Sequence, residues 1–164
     1  MAILNPPVLP ADAYAQAPGL EAEALDLRAL EAELDTDRDQ TGRATRELLI
    51  RKAALLDRTA LRLDATPAAK EHADRLAVQA AQELRAHDNT FGTWYGQIPP
   101  YAIEYAGGRD RDFVRSEYEP FRAGKAVPYW VCQHDDCPTR ECAVGEGYWD
   151  APGRRDPQFP MPGA

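Results

Sequence analysis

Between Leu20 and Thr90 the chain has no aromatic residue, a single proline (Pro67) and a single glycine (Gly42). After Thr90 the composition inverts, with 13 of the 14 aromatics, 9 of the 14 prolines and 9 of the 11 glycines. A long stretch without helix breakers favours helices, and a stretch rich in Gly, Pro and aromatic residues favours turns and ring contacts. The expected fold class is therefore mainly α. A helical hairpin or three-helix bundle is expected over 19–90 and an irregular aromatic annex over 91–150. Pro-rich arms are expected at 1–18 and 151–164, because Pro6, Pro7, Pro10 and Pro18 at one end and Pro152, Pro157, Pro160 and Pro162 at the other fix φ and remove donors.

Three helices are legible in the first block. Leu20, Leu27, Leu30 and Leu34 form one stripe at helical spacing, with Leu25 beside it, and predict a helix to about Asp35. Thr36 with Asp39 has capping-box spacing and predicts the start of a second helix reaching about Asp64. Leu49, Ala53, Leu56, Ala60 and Leu63 recur at 4-3-4-3 spacing, the seam of a coiled coil or helical hairpin, and Ile50, Ala54 and Leu61 add a second apolar arc. That much apolar surface makes the second helix central. Thr66-Pro67 then marks a third start, with Thr66 as cap and Pro67 at the first helical position. The third helix is expected to end near His87 and to bury Ala69, Ala73, Leu76, Ala80 and Leu84. Short strands are expected near Tyr101–Tyr105 and Val127–Cys132, where aromatic and β-branched residues cluster.

The core is thin. The chain holds 28 Ala, and Leu, Ile, Val and Phe together make 29 of 164 residues, about 18%, below the roughly 20% at which a highly charged chain becomes a candidate for disorder. Alanine lets helix axes approach closely but buries little area. This predicts surfaces completed by other protein subunits or by self-association. The length excludes a TIM barrel and a two-domain dinucleotide enzyme. No stretch approaches the ~20 apolar residues of a membrane span.

The net charge is −8, with residues 1–40 at −7, residues 41–90 at +2 and residues 91–164 at −3. A nucleic-acid binder needs a basic field to neutralise phosphates, so the overall balance argues against one. Arg51, Arg58 and Arg62 share a stripe on the second helix; pairing with the acidic first helix or plain solvation accounts for it better than phosphate binding. The first basic residue is Arg28, which leaves no charged leader region and makes an intracellular, cytoplasmic location the expectation.

One cluster carries specific chemistry. Cys132, His134, Cys137 and Cys142 lie within eleven residues in a C-x-H-x2-C-x4-C pattern and use every cysteine in the chain. Three thiolates and an imidazole are a common closed tetrahedral set for structural Zn²⁺. The spacing departs from the usual two knuckles separated by a longer loop. A variant keeps the three Cys and takes His87 as fourth ligand. The alternatives are three reduced thiols, or a Cys132–Cys137 or Cys137–Cys142 disulfide with one thiol left over. Tyr129, Trp130, Tyr148 and Trp149 bracket the cluster, as its shielding core or as a partner-binding surface. A zinc staple suits an annex too small to hold itself.

Enzyme signatures give little. There is no G-x-S-x-G, P-loop or H-E-x-x-H, nor a zinc-deaminase pattern. His87-Asp88 and His134-Asp135 spell the dipeptide of metal-dependent phosphohydrolases, with His72 and Asp74 as the only nearby helical candidates. The expectation is a non-enzymatic structural or adaptor subunit with a structural zinc, in a virion or another multi-protein complex. The alternative is a zinc-containing regulatory protein that binds nucleic acid through Arg109, Arg111, Arg115 and Arg122. A small metal-dependent hydrolase stands third.

Overall fold

The computed structural model describes residues 7–36, 42–95, 98–125, 129–132 and 147–150. These residues are mostly helical. Among them are five helices, α1 (Pro10–Ala13), α2 (Leu20–Thr36), α3 (Gly42–Arg62), α4 (Pro67–Phe91) and α5 (Asp110–Arg122), with a 3-10 turn at Ile103–Tyr105. Two strands follow, β1 (Tyr129–Cys132) and β2 (Gly147–Asp150). No described helix is long and apolar enough to cross a membrane.

The second of the long helices is central, as its two apolar arcs imply. Helix α3 packs most extensively on α4 and also on α2 and α5. Its Ile50, Ala53 and Ala54 meet Ala80, Ala81 and Leu84 of α4, and Phe113, Val114 and Tyr118 of α5 close the core with Tyr105. Alanines on both sides of the α3–α4 contact let the two backbones come close, and the aromatic rings supply the volume the alanines lack.

Several boundaries and faces differ from the sequence reading. Thr66 does cap α4, its hydroxyl accepting from Ala69 N at 3.4 Å with Pro67 in the first turn. The helix runs one turn past His87 and stops at Gly92, whose φ of 66° is the left-handed conformation that glycine adopts without a Cβ penalty. The buried face of α4 is Ala77, Ala80, Ala81, Leu84 and Asp88, whereas Ala69 and Leu76 are exposed. The first turns of α4 extend beyond the core, so the face starts at Ala77. Thr36 is the last residue of α2, and α3 starts at Gly42, so Thr36 is not its cap.

The largest correction falls inside the expected annex. Residues 110–122 are not irregular: α5 is a 13-residue helix whose Phe113, Val114, Glu117, Tyr118 and Pro120 are buried. Phe113, Val114, Glu117, Tyr118 and Phe121 recur at helical spacing, and Pro120 masked that signal by standing inside the last turn. The strand expected at Tyr101–Tyr105 is a turn followed by the 3-10 segment. Its backbone carbonyls serve a side chain instead of a ladder: Arg85 donates to Pro100 O at 2.6 and 2.9 Å and to Tyr105 O at 3.2 Å. The described part of the first arm is not extended either. Pro10 opens the one-turn helix α1, and Tyr14 stacks edge-on against Tyr118 at 5.3 Å. The tail 151–164 lies outside the described residues.

Candidate functional site

The strand expected around Val127–Cys132 is present as β1. It pairs antiparallel with β2 in the register Tyr129–Asp150, Trp130–Trp149, Val131–Tyr148 and Cys132–Gly147. The four aromatic residues singled out in the sequence therefore sit on two adjacent strands, with the two tryptophans directly opposite. Cys132 ends β1 and is paired with Gly147 at the start of β2. Residues 133–146 lie between them in sequence. That segment carries His134, Cys137 and Cys142. These three residues lie outside the described residues.

His87, the alternative fourth ligand, is on α4 near its C-terminal end. Its ring stacks on Phe91 at 4.6 Å, its Nδ1 lies 3.2 Å from Asp88 Oδ1, and its Nε2 is buried with no hydrogen-bond partner among the described residues. Among the described residues, the dipeptide His87-Asp88 is not grouped with the other ligand candidates of a phosphohydrolase site. Asp88 is bonded to an arginine, Asp74 pairs with Arg111 at 2.8 Å, and His72 is exposed. Among the described residues no group of three or more His, Cys, Asp or Glu side chains is placed to hold a metal.

Sequence reasoning missed a set of buried charges. Arg46 of α3 makes a two-pronged contact with Asp88 of α4, Nε to Oδ1 at 2.8 Å and Nη2 to Oδ2 at 2.7 Å, and reaches Glu117 of α5 at 2.9 Å. Its Nε also donates to Thr93 O, while the Thr93 hydroxyl donates to Asp88 Oδ1 and the Tyr95 amide to Glu117 Oε2. All three charged residues are at most 3% exposed. Burial works against the Arg46 charge, and the Asp88 and Glu117 carboxylates outweigh it, holding the guanidinium above its ordinary pKa.

A second knot forms on Asp57, also of α3. Arg115 donates to both its oxygens at 2.8 and 3.0 Å, Arg111 donates to Oδ1, and the Tyr14 hydroxyl donates to Oδ2 at 2.6 Å. Burial pushes this carboxyl up, but the bonds from Arg115 and Tyr14 and the Arg111 charge outweigh it, so Asp57 is held below the usual carboxylate range. Tyr14 is pushed up, by burial first and by the Asp57 charge second. Glu23 of α2, fully buried, receives Arg51 at 2.8 and 3.3 Å.

These knots act as fasteners. Each joins elements far apart in sequence, and their carboxylates are occupied by guanidinium donors, which leaves them poor general bases. They also redefine the arginine stripes. Arg51 pairs with the acidic α2 as expected, but Arg58 is buried and donates to the Pro18 carbonyl. Of the four arginines offered for nucleic acid, Arg111 and Arg115 are turned onto Asp57, Arg109 pairs with Asp112 at 3.1 Å, and Arg122 is exposed. A search of protein-family models, curated proteins and solved structures finds no match to this chain.

Proposed function

We propose that this chain is a non-enzymatic structural or adaptor subunit of a larger protein assembly, carrying one structural zinc held by Cys132, His134, Cys137 and Cys142. The observation that carries the reading is the ligand set itself. Three cysteines and one histidine within eleven residues supply four soft or borderline donors, with no cysteine left over. Four protein ligands close the tetrahedron, which leaves no position for substrate or water and makes the metal a staple. Zinc would hold the three sulfurs as thiolates, so its binding releases protons and couples to folding of the segment.

The adaptor half of the reading rests on exposed apolar side chains over a thin core. Ile103 is 82% exposed, Tyr101 69%, Leu25 68% and Leu9 62%. Single exposed apolar residues are ordinary, but Tyr101 and Ile103 stand two residues apart beside the Pro100 carbonyl that Arg85 anchors, a rigid presentation that suits a contact with another subunit. The assembly would be intracellular or a virion.

Native mass spectrometry of untagged protein purified under reducing conditions, beside a denatured control, tests the metal. The expected result is a mass excess of one zinc, absent in Cys137→Ser, together with a lower thermal midpoint for that variant. A mass with no metal and three titratable thiols overturns the zinc. Light scattering after size exclusion tests the assembly. A strict monomer over the whole concentration range, with no partner on pull-down, overturns the adaptor reading.

A further inference from the structure

Arg58 is the exception among the buried and half-buried arginines of this bundle. Arg46, Arg51, Arg85, Arg111 and Arg115 each have a carboxylate oxygen within ion-pair distance. Arg58 is 6% exposed, yet among the described residues it makes no ion pair. Its Nη2 donates to the Pro18 carbonyl, its guanidinium stands 5.9 Å from the centre of the Tyr14 ring, and its Nη1 is buried with no acceptor among the described residues. A neutral carbonyl and a ring face do not cancel a full charge removed from water. A buried donor without a partner marks a place where an ion, a water or a ligand belongs.

The same side chain lines a cavity of about 390 Å³ between α1 and the last turn of α3. Pro10, Ala11, Tyr14 and Leu61 make its walls, and Arg62, one helical turn after Arg58, lines it as well. Among the described residues no acidic side chain lines the cavity. Arg62 is exposed and, among the described residues, has no carboxylate partner. The volume is within the roughly 300–1,000 Å³ of small-molecule sites. Its charged side chains among the described residues are both cationic, and Pro10, Ala11, Ala15, Ala17 and Leu61 add apolar surface. The carbonyl end of α3 lies beside it, where the helix dipole disfavours a dianion more than a single delocalised charge.

We propose that this cavity binds a carboxylate carried on a short apolar body. Arg58 and Arg62 hold the carboxylate oxygens, and Leu61, Ala11 and Pro10 cover the hydrocarbon. The site is independent of the zinc cluster and of the assembly reading.

Calorimetric titration of the full chain with octanoate tests it, with octanamide and inorganic phosphate as controls. Octanoate is expected to bind saturably at or below about 1 mM, and the two controls are not. Arg58→Met should weaken octanoate by about tenfold or more, the loss of one charge-assisted contact. Arg62→Ala, a change at an exposed position that leaves the core intact, should weaken it several-fold. A tripeptide acetyl-Leu-Ala-Leu that binds more tightly than octanoate assigns the carboxylate to a peptide end, and weaker binding assigns it to a free acid. Equal binding of octanoate and octanamide overturns the proposal. So does an amidated tripeptide that binds as well as the free one, an unchanged affinity in both arginine variants, or saturable binding of phosphate alone.

Discussion

Arg46 and Arg58 lie on one helix, are about equally buried, and stand in opposite electrostatic circumstances. Arg46 is held between Asp88 of α4 and Glu117 of α5, so its charge ties three helices together. Arg58 has the Pro18 carbonyl and the Tyr14 ring, and one nitrogen with no partner among the described residues. Burial alone therefore does not say what a charged residue does for a fold. A paired charge fixes which helices meet. An unpaired one is an opportunity for a ligand and a cost to the empty protein.

The contrast is broken most strongly at Arg46. Arg46→Met leaves Asp88 and Glu117 buried and facing each other, and a loss of about 3–5 kcal/mol in urea unfolding is expected. Asp57→Asn comes next. Arg111 and Arg115 keep Asp74 and Asp112 as partners and are partly exposed, so the expected loss is smaller, about 2–3 kcal/mol.

The Asp57 knot also sets a pH dependence. Because the folded protein holds Asp57 below the usual carboxylate value of about 4, its contribution is fully present above that pH and is lost as pH falls further. Stability of the wild type should therefore fall below about pH 4 more steeply than that of Asp57→Asn, as read by denaturant midpoints across pH. Tyr14 acts at the other end. Its hydroxyl is held above its ordinary value, so its contribution is present below about pH 10 and is lost as pH rises past it. Tyr14→Phe is expected to cost about 1.5 kcal/mol at neutral pH and to flatten the alkaline limb.

Smaller effects calibrate these. Thr66→Ala removes a long, exposed cap bond at 3.4 Å and should cost only about 0.5 kcal/mol in thermal unfolding. Arg58→Met removes a charge that has no counter-ion among the described residues and should leave stability within about 0.5 kcal/mol of wild type or raise it.

The same contrast explains what the sequence made legible. Apolar periodicity located α2, α3 and α4, and Thr66-Pro67 located the start of α4, because those signals act within a few residues. The central place of α3 followed from its two apolar arcs. The polar knots did not follow, because a buried Arg and a solvated Arg have the same spelling. Arg58 sits on the stripe with Arg51 and Arg62, yet Arg51 meets Glu23 of α2, Arg58 meets Tyr14 and the Pro18 carbonyl, and Arg62 is exposed. Helix α5 was hidden by Pro120 and by its charged residues, five of which (Asp110, Arg111, Asp112, Arg115 and Glu117) are committed to pairs within the fold or to its buried interior. The residues proposed to hold zinc stand out in the sequence for the opposite reason: cysteine is rare enough that three within eleven residues carry information.

The most direct measurement is urea unfolding of Arg46→Met and Arg58→Met side by side with wild type at neutral pH. The same chemical change is made at two buried positions on one helix. The account requires a loss of about 3–5 kcal/mol at Arg46 and no loss beyond about 0.5 kcal/mol at Arg58. Equal losses at the two positions, or a larger loss at Arg58, would contradict it.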